Sequence, residues 1–275
     1  MDNINKINDM KTYIVSMSKT LYDKCWWIDK IPDSIDTVID YGCAQGDLAV
    51  MINRIDHSKN WKYIGVDSSP EMLAIAKHNF AFHFTEIDAD FTDDISEALN
   101  KVDPNRTILI LNSVLHEVYS YLSEQDQDIL FTELFKSGIR YIAIRDMCRL
   151  SDHNYRIGVD LFESVETSEY NEKWDTFKAL CKRRKDESSQ DENLQMQEFL
   201  LKYRYDINWK RESHEQYLWD WFRMLTGKEY IGFCSPYDCI FKVVFNIPFL
   251  SQRVEQDFGC SWKEPTHMKA LFCLR

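Results

Sequence analysis

Short apolar runs alternate with amphipathic stretches along most of the chain, and this alternation predicts its secondary structure. Five runs of strand length precede a long change of pattern and lie at 36–41, 62–67, 82–87, 107–112 and 140–146. Stretches with helical periodicity separate them, as in βαβ units that build a parallel sheet. Two further strand-like runs, at 237–245 and 267–274, close the chain. We therefore predict a doubly wound α/β fold with seven strands.

The same pattern divides the chain into three parts. Residues 1–35 are predicted to be an N-terminal helical segment. The α/β domain is predicted to consist of residues 36–146 and 233–275. Between these two parts, residues 147–232 are rich in charged and aromatic side chains and predict a mainly helical insertion between strands 5 and 6.

Composition and charge narrow the class of protein. Hydrophobic residues make up 44% of the chain, which is enough for a substantial core. No window has the roughly 18 uninterrupted apolar residues of a membrane span, and the N-terminus lacks the apolar centre of a signal peptide. We therefore expect a soluble, cytoplasmic protein without a membrane partner. A net charge of −12 argues against strong non-specific binding to nucleic acid.

The eight cysteines are scattered and form no C-x-x-C pair, and no two histidines have metal-ligand spacing. We therefore expect reduced thiols and no metal site.

The most informative segment is the loop that follows the first predicted strand. It runs from Gly42 through Cys43, Ala44 and Gln45 to Gly46 and leads directly into a helix. Small residues allow the backbone to turn sharply and to approach a ligand closely. A loop of this kind also occurs for purely structural reasons, so its context decides its meaning.

Two acidic residues supply that context. Asp67 lies 21 residues after Gly46 at the end of the second predicted strand, where a carboxylate can accept hydrogen bonds from both hydroxyls of a ribose. It could instead cap the next helix, although Ser68 and Ser69 can do so as well. The third predicted strand leads into Asp88, whose carboxylate would accept from an exocyclic amine such as that of adenine. The alternative is a solvated acidic loop.

These successive motifs resemble those of class I S-adenosylmethionine-dependent methyltransferases over residues 36–146. The resemblance implies a sheet whose last strand is antiparallel, S-adenosylmethionine as cofactor, and methyl transfer as the reaction. Ala44 stands where the commonest loop of the family has its central glycine. The spacing of GCAQGD does not match the G-x-G-x-x-G loop of nicotinamide-binding domains.

The resemblance also assigns residues to the parts of the cofactor. The methionine part would be surrounded by Asp40, Gly42, Ala44 and Gly46. Asp67 would bind the ribose, and Asp88 with Ala89 the adenine. The remaining residues predicted to contact the cofactor are Cys43, Ser68, Asn112 and Ser113.

The acceptor is expected beyond the fourth strand, because ligands of open α/β sheets lie at the carboxyl ends of the strands. Asn112 and Ser113 would line this pocket, and His116 follows on the first turn of the next helix. His116 is the candidate catalytic residue, since an imidazole can remove a proton from an oxygen or nitrogen acceptor near neutral pH. The alternative is that His116 packs against the cofactor without proton transfer.

Three hypotheses for the function remain open. The first is methyl transfer to a small molecule or nucleotide-like metabolite, the second is methyl transfer to RNA or DNA, and the third is a non-catalytic subunit with this fold. The second would use aromatic and basic residues of the insertion to stack bases and to contact phosphates, whereas the same aromatic residues would otherwise form a helical core. The residues concerned are Arg183, Arg184, Tyr203, Arg204, Tyr205, Trp209, Lys210, Arg211, Tyr217, Trp219, Trp221 and Phe222. No N-P-P-Y loop, which in amino-methylating nucleic-acid enzymes stacks the target base, follows the fourth strand.

Overall fold

The computed structural model describes residues 20–82, 88–148, 156–183, 191–204 and 236–275. Its strands are β1 (Thr37–Tyr41), β2 (Lys62–Val66), β3 (Asp88–Thr92), β4 (Thr107–Asn112), β5 (Tyr141–Met147), β6 (Tyr237–Phe245) and β7 (His267–Leu274). They form one sheet in the order β3-β2-β1-β4-β5-β7-β6. The first five strands pair in parallel, and β7 is antiparallel to both β5 and β6. The predicted seven-stranded, mostly parallel fold with an antiparallel last strand is thereby confirmed.

Helices connect the strands and cover the sheet. They are α1 (Leu21–Lys24), α2 (Asp47–Ile55), α3 (Pro70–Phe82), α4 (Ile95–Asn100), α5 (Leu115–Tyr121), α6 (Glu124–Lys136), α7 (Val159–Thr167), α8 (Asn171–Arg183), α9 (Glu192–Lys202) and α10 (Pro248–Phe258). Short 3-10 turns lie at Ile28–Lys30 and Pro104–Arg106. Helices α7 to α9 belong to the predicted insertion between the fifth and sixth strands. Most of the predicted N-terminal helix falls in residues 1–19, which are outside the described residues.

The third strand of the sheet begins at Asp88, whereas the prediction placed it at 82–87. Phe82 is instead the last residue of α3, and residues 83–87 lie outside the described residues. The polar run at 88–92 forms a strand because it pairs with β2. Asp88 to Thr92 pair with Lys62 to Val66 of β2, and Phe91 is buried against the sheet. As an edge strand, β3 tolerates exposed aspartates on its other positions.

The two faces of the central strands form two apolar layers, because successive side chains of a strand point to opposite faces. One layer contains Val38, Ile108 and the fully buried Trp27, and it lies beneath α2 and α3. The other contains Leu109 and Ile144 together with the aromatic side chains of the insertion, namely Trp174, Phe177, Phe199 and Tyr203. The insertion therefore shares its core with one face of the sheet. The three-part division of the chain into domains stays a prediction.

This packing bears on the residues that were considered for nucleic-acid binding. Tyr203 is fully buried, and its hydroxyl donates to Asp257 at 2.5 Å. Arg204 forms an ion pair with the same Asp257, with Nε to Oδ2 at 2.6 Å. Arg183 ends α8, and nothing is described of its side chain. The remaining nine candidates, Arg184 and those in 205–222, lie outside the described residues. Tyr203, the one aromatic residue of this set among the described residues, is therefore part of the core.

Two further structural facts concern ions and membranes. The seven cysteines in the described residues are free thiols, and the same residues contain no cluster of three or more His, Cys, Asp or Glu side chains suited to a metal. No helix in the described ranges is both long and apolar enough to traverse a bilayer. The cytoplasmic location stays a prediction.

We expect Trp174→Ala to lower the free energy of unfolding by about 3–5 kcal/mol, because its ring is fully buried in the apolar cluster that the insertion shares with one face of the sheet. Val159→Ala is the matched control in the same insertion, since Val159 is 72% exposed. Urea unfolding monitored by circular dichroism measures both. A shared core predicts one cooperative transition that moves as a whole; a separate early transition in Trp174→Ala would contradict it.

Candidate functional site

The loop between β1 and α2 makes a tight turn that requires small residues. Gly42 has φ +78° and Gly46 has φ +79°, a left-handed conformation that favours glycine. A Cβ on Gly42 would also lie 2.7 Å from Cγ2 of Val114. Ala44 has φ +48°, which is uncommon for a residue with a side chain. The loop thus holds Ala44 in a strained conformation between two glycines that are needed for the turn.

Hydrogen bonds from β2 hold this loop in place. The N–H groups of Gly42 and Cys43 donate to the carbonyl of Val66 at 2.8 and 3.0 Å. Ala44 N donates to Asp67 Oδ2 at 2.9 Å, and Ser69 N donates to Asp67 Oδ1 at 2.9 Å. Asp67 is therefore not a carboxylate reserved for a ligand, as its position after β2 suggested, because it also ties the loop to the end of β2. A carboxylate oxygen can accept a second hydrogen bond, so both oxygens retain capacity for hydroxyl donors.

Beside the loop lies a cleft at the carboxyl ends of the strands, where ligands of open α/β sheets bind. Five of the predicted cofactor residues line it, and these are Asp40, Gly42, Cys43, Ala44 and Asn112. Gly46, Asp67, Ser68 and Ser113 lie next to it in the chain, at the ends of the loop, β2 and β4. The carboxyl ends of three neighbouring parallel strands therefore bring these residues together.

Asp40 is a buried carboxylate in this cleft. Only 4% of the residue is exposed, and Tyr63 Oη donates to its Oδ2 at 2.6 Å. Burial raises the pKa of Asp40 to about 6, and this rise exceeds the opposing effects of Tyr63 and Lys24. Near neutral pH the cleft therefore holds a buried negative charge, and Lys24 lines the same cleft. A buried carboxylate favours a cationic group of a ligand.

Asn112 supplies a second acceptor. Its Nδ2 donates to the backbone carbonyl of Lys24 at 3.4 Å, whereas its Oδ1 is buried and has no hydrogen-bond partner among the described residues. A buried acceptor without a donor is costly, so its position at the cleft indicates a ligand that donates there. An ammonium group such as that of the methionine part of S-adenosylmethionine fits both Asp40 and this oxygen.

The predicted adenine contacts at Asp88 and Ala89 are wrong as to their place in the fold. Both residues begin β3, paired with Lys62 and Tyr63 at the amino end of β2. They line a separate cleft at the amino ends of the strands. Asp88 is about 13 Å along β3 from the carboxyl end of that strand. The error follows from the misplaced third strand. The acidic residue directly after the carboxyl end of β3 is Asp93, which is not among the predicted site residues.

On the other side of the cleft, β4 ends at Asn112 and the chain turns through Ser113, which has φ +56°. Its N–H donates to the carbonyl of Arg145 at 2.7 Å, so the turn is tied to β5. His116 then lies in the first turn of α5, as predicted. Its Nδ1 lies 2.8 Å from Oδ1 of Asp146, the sixth residue of β5.

Asp146 was not identified from the sequence. Its side chain is fully buried and accepts from the N–H groups of Leu115 at 2.8 Å and Met147 at 2.7 Å as well as from the His116 ring. Burial raises the pKa of Asp146, but His116 and the Met147 N–H more than offset this effect, so the pKa lies below its ordinary value. The ionised carboxylate orients the imidazole. Its position as an acidic residue near the end of the fifth predicted strand could have identified it as a site residue.

Comparison with known proteins decides the family. A family model described as a methyltransferase domain matches residues 32–199, which is more than half of the chain. The chain belongs to this methyltransferase family. The resemblance inferred from its motifs is thereby confirmed: the methyltransferase is an enzyme that depends on S-adenosylmethionine.

Individual relatives of the methyltransferase are distant. A carboxy-S-adenosyl-L-methionine synthase of Shewanella sediminis is 28% identical over 104 residues, which are 38% of this chain and 40% of that protein. A SAM-dependent methyltransferase from Methanosarcina mazei has a structure with a TM-score of 0.50 at 12% identity, covering 90% of this chain and 96% of its own. The plantazolicin methyltransferase BamL, solved with S-adenosylhomocysteine, has a TM-score of 0.43 at 16% identity, covering 94% and 84%. The Methanosarcina structure shares the fold.

We expect Asp67→Ala to weaken the binding of S-adenosylhomocysteine at least about tenfold, because it removes a charged acceptor and leaves Ala44 N without one. Asp88→Ala is the matched control, since Asp88 lies at the opposite edge of the sheet. Titration calorimetry on both variants measures the effect. An equal loss in Asp88→Ala would contradict the placement of the adenine away from the start of β3.

Proposed function

We propose that the enzyme transfers the methyl group of S-adenosylmethionine to an oxygen or nitrogen of a small molecule or nucleotide-like metabolite. The observation that carries this proposal is the pair of His116 and Asp146 after β4 and in β5, at the same carboxyl edge of the sheet as the cleft lined by Asp40, Gly42 and Asn112. When bound, the cofactor supplies an electrophilic methyl group on a sulfonium. The chain has to hold the cofactor, exclude water and accept a proton.

The cleft residues divide the binding of the cofactor among them. Asp40 and Asn112 Oδ1 receive the ammonium of the methionine part, and the turn at Gly42 lets the backbone approach it closely. Asp67 accepts from the ribose hydroxyls while it holds Ala44 N. Ser68, Cys43, Gly46 and Ser113 complete the walls. We assign the amine of adenine to Asp93, because Asp93 is the acidic residue that follows the carboxyl end of β3.

His116 acts as the general base in this proposal. Asp146 is ionised and holds Nδ1, which sets the tautomer with the proton on that nitrogen, so proton exchange with an acceptor takes place at Nε2. The His116 side chain is 12% exposed, and its Nε2 lies 3.9 Å from Oε1 of Glu117. An imidazole placed in this way would take up the acceptor's proton as the methyl group passes from the sulfonium sulfur to the oxygen or nitrogen, which leaves S-adenosylhomocysteine.

The size of the acceptor is argued from charge and from packing. The chain carries a net charge of −12, which repels a polyanionic substrate. Within the described part of the insertion, Tyr203 is buried and Arg204 is paired with Asp257, so neither presents a stacking platform or a free cation. These observations favour a small acceptor over RNA or DNA.

We expect His116→Gln to lower the rate of methyl transfer by about 10²- to 10⁴-fold and to leave the affinity for S-adenosylhomocysteine unchanged, because the amide cannot take up a proton. His57→Gln is the control, because His57 is an exposed histidine far from His116 in the sequence. Release of S-adenosylhomocysteine measures the rate, and calorimetry measures the affinity. Should both fall by the same factor, His116 packs against the cofactor and is not the base.

We expect the low-molecular-mass filtrate of a cell extract, and not its nuclease-sensitive retained fraction, to support turnover of S-adenosylmethionine. The reason is the unfavourable charge of the enzyme for a nucleic-acid substrate. Turnover that depends on the retained fraction and disappears after nuclease treatment would overturn the choice of a small acceptor. Cofactor binding without turnover in any fraction would contradict the catalytic role of the site.

A further inference from the structure

The short helix α1 lies across the carboxyl edge of the sheet and is tied to three strands. The Asp23 carboxylate accepts from Arg145 Nε of β5 at 2.7 Å and also from Lys269 Nζ of β7. Asn112 of β4 donates to the backbone carbonyl of Lys24. Burial raises the pKa of Asp23, but its two cationic partners more than offset this, so the pKa is below its ordinary value and the anchor is ionised.

This anchoring places the next residue, Lys24, in the wall of the cleft. Lys24 is only 6% exposed and lines the same cavity as Asp40, Gly42 and Asn112. A lysine is rarely buried to this extent unless charges or a ligand compensate for the lost hydration. The cleft therefore presents a buried cation and a buried anion side by side.

That pair of charges matches one end of the cofactor. The methionine part of S-adenosylmethionine is a zwitterion with a carboxylate and an ammonium on one carbon, whereas its ribose and adenine are uncharged. We propose that Lys24 binds the carboxylate of the methionine part, opposite the ammonium held by Asp40 and Asn112 Oδ1. This inference rests on the proposed assignment of the cleft to the cofactor. The family model begins at residue 32 and so does not include Lys24.

The electrostatics of the cleft agree with this geometry. Burial, aided by Arg145, lowers the pKa of Lys24 to about 8, against the opposing effects of Asp40 of β1, Asp47 of α2 and the adjacent Cys25. A ligand carboxylate would stabilise the ammonium form, so binding takes up a proton above this pKa. Affinity that depends on Lys24 should therefore be complete below about pH 8 and decrease as the pH rises further.

Decarboxylated S-adenosylmethionine tests the proposal, because it keeps the ammonium, ribose and adenine and lacks only the carboxylate. We expect the wild-type enzyme to bind S-adenosylmethionine about 10- to 100-fold more tightly than the decarboxylated compound. Lys24→Met should abolish this preference by weakening only the first ligand, and Lys24→Arg should restore most of it. Because Lys24→Met leaves the buried Asp40 carboxylate without this cation, circular dichroism must first show that the variant folds, and Lys24→Arg keeps the charge.

Calorimetry on the full chain at pH 7 and pH 9 measures all three proteins with both ligands. The ratio of the wild-type affinity for S-adenosylmethionine to that of Lys24→Met should be smaller at pH 9 than at pH 7. Titration of the ligand affects both proteins equally and so cancels in this ratio. An equal loss of both ligands in Lys24→Met would overturn the proposal and assign Lys24 to the support of Asp40. If the wild-type protein bound neither ligand, the assignment of the cleft would fail, which is a different result.

Discussion

The hydrogen bond from Ala44 N to the carboxylate of Asp67 is the contact on which the site depends. It joins the loop after β1 to the end of β2, and the same carboxylate also accepts from Ser69 N at the start of α3. The Asp67 carboxylate thus holds together the loop after β1, the end of β2 and the start of α3. With the two bonds to the carbonyl of Val66, it keeps Ala44 in its left-handed conformation and keeps the cleft open beside Asp40.

The two faces of the sheet contribute different chemistry at this edge. Side chains alternate along β5, so Arg145 points toward α1 and Asp146 points toward α5. The first holds Asp23 and so positions the wall of the cleft lined by Lys24, while the second orients His116. Neighbouring residues of one strand thereby contribute to both parts of the candidate site. Arg145 pairs with both Asn112 of β4 and Lys269 of β7, and Asp146 pairs with Met268 of β7, so the sheet fixes the backbone of both residues.

Most of the fold was predictable because the central strands are nearly continuous apolar runs. All six residues of β4 are buried, and the runs at 237–245 and 267–274 coincide with β6 and β7. The third strand failed because its stability comes from pairing with β2 and from Phe91, not from its own composition. Because of that single error, the prediction placed Asp88 and Ala89 at the carboxyl ends of the strands, whereas the structure has them at the amino ends.

The sequence by itself determined the order of the elements, the glycine turn at Gly42 to Gly46, the acidic residue at Asp67 and the family to which they belong. These features depend on local conformation and on spacing along the chain, which a sequence records directly. Only the tertiary structure decided that Asp146 orients His116, that Asp23 anchors α1, and that Lys24 and Asp40 line the same cleft. Each of these contacts joins distant segments or depends on which face of a strand or helix a side chain occupies, and pairing and packing alone establish that.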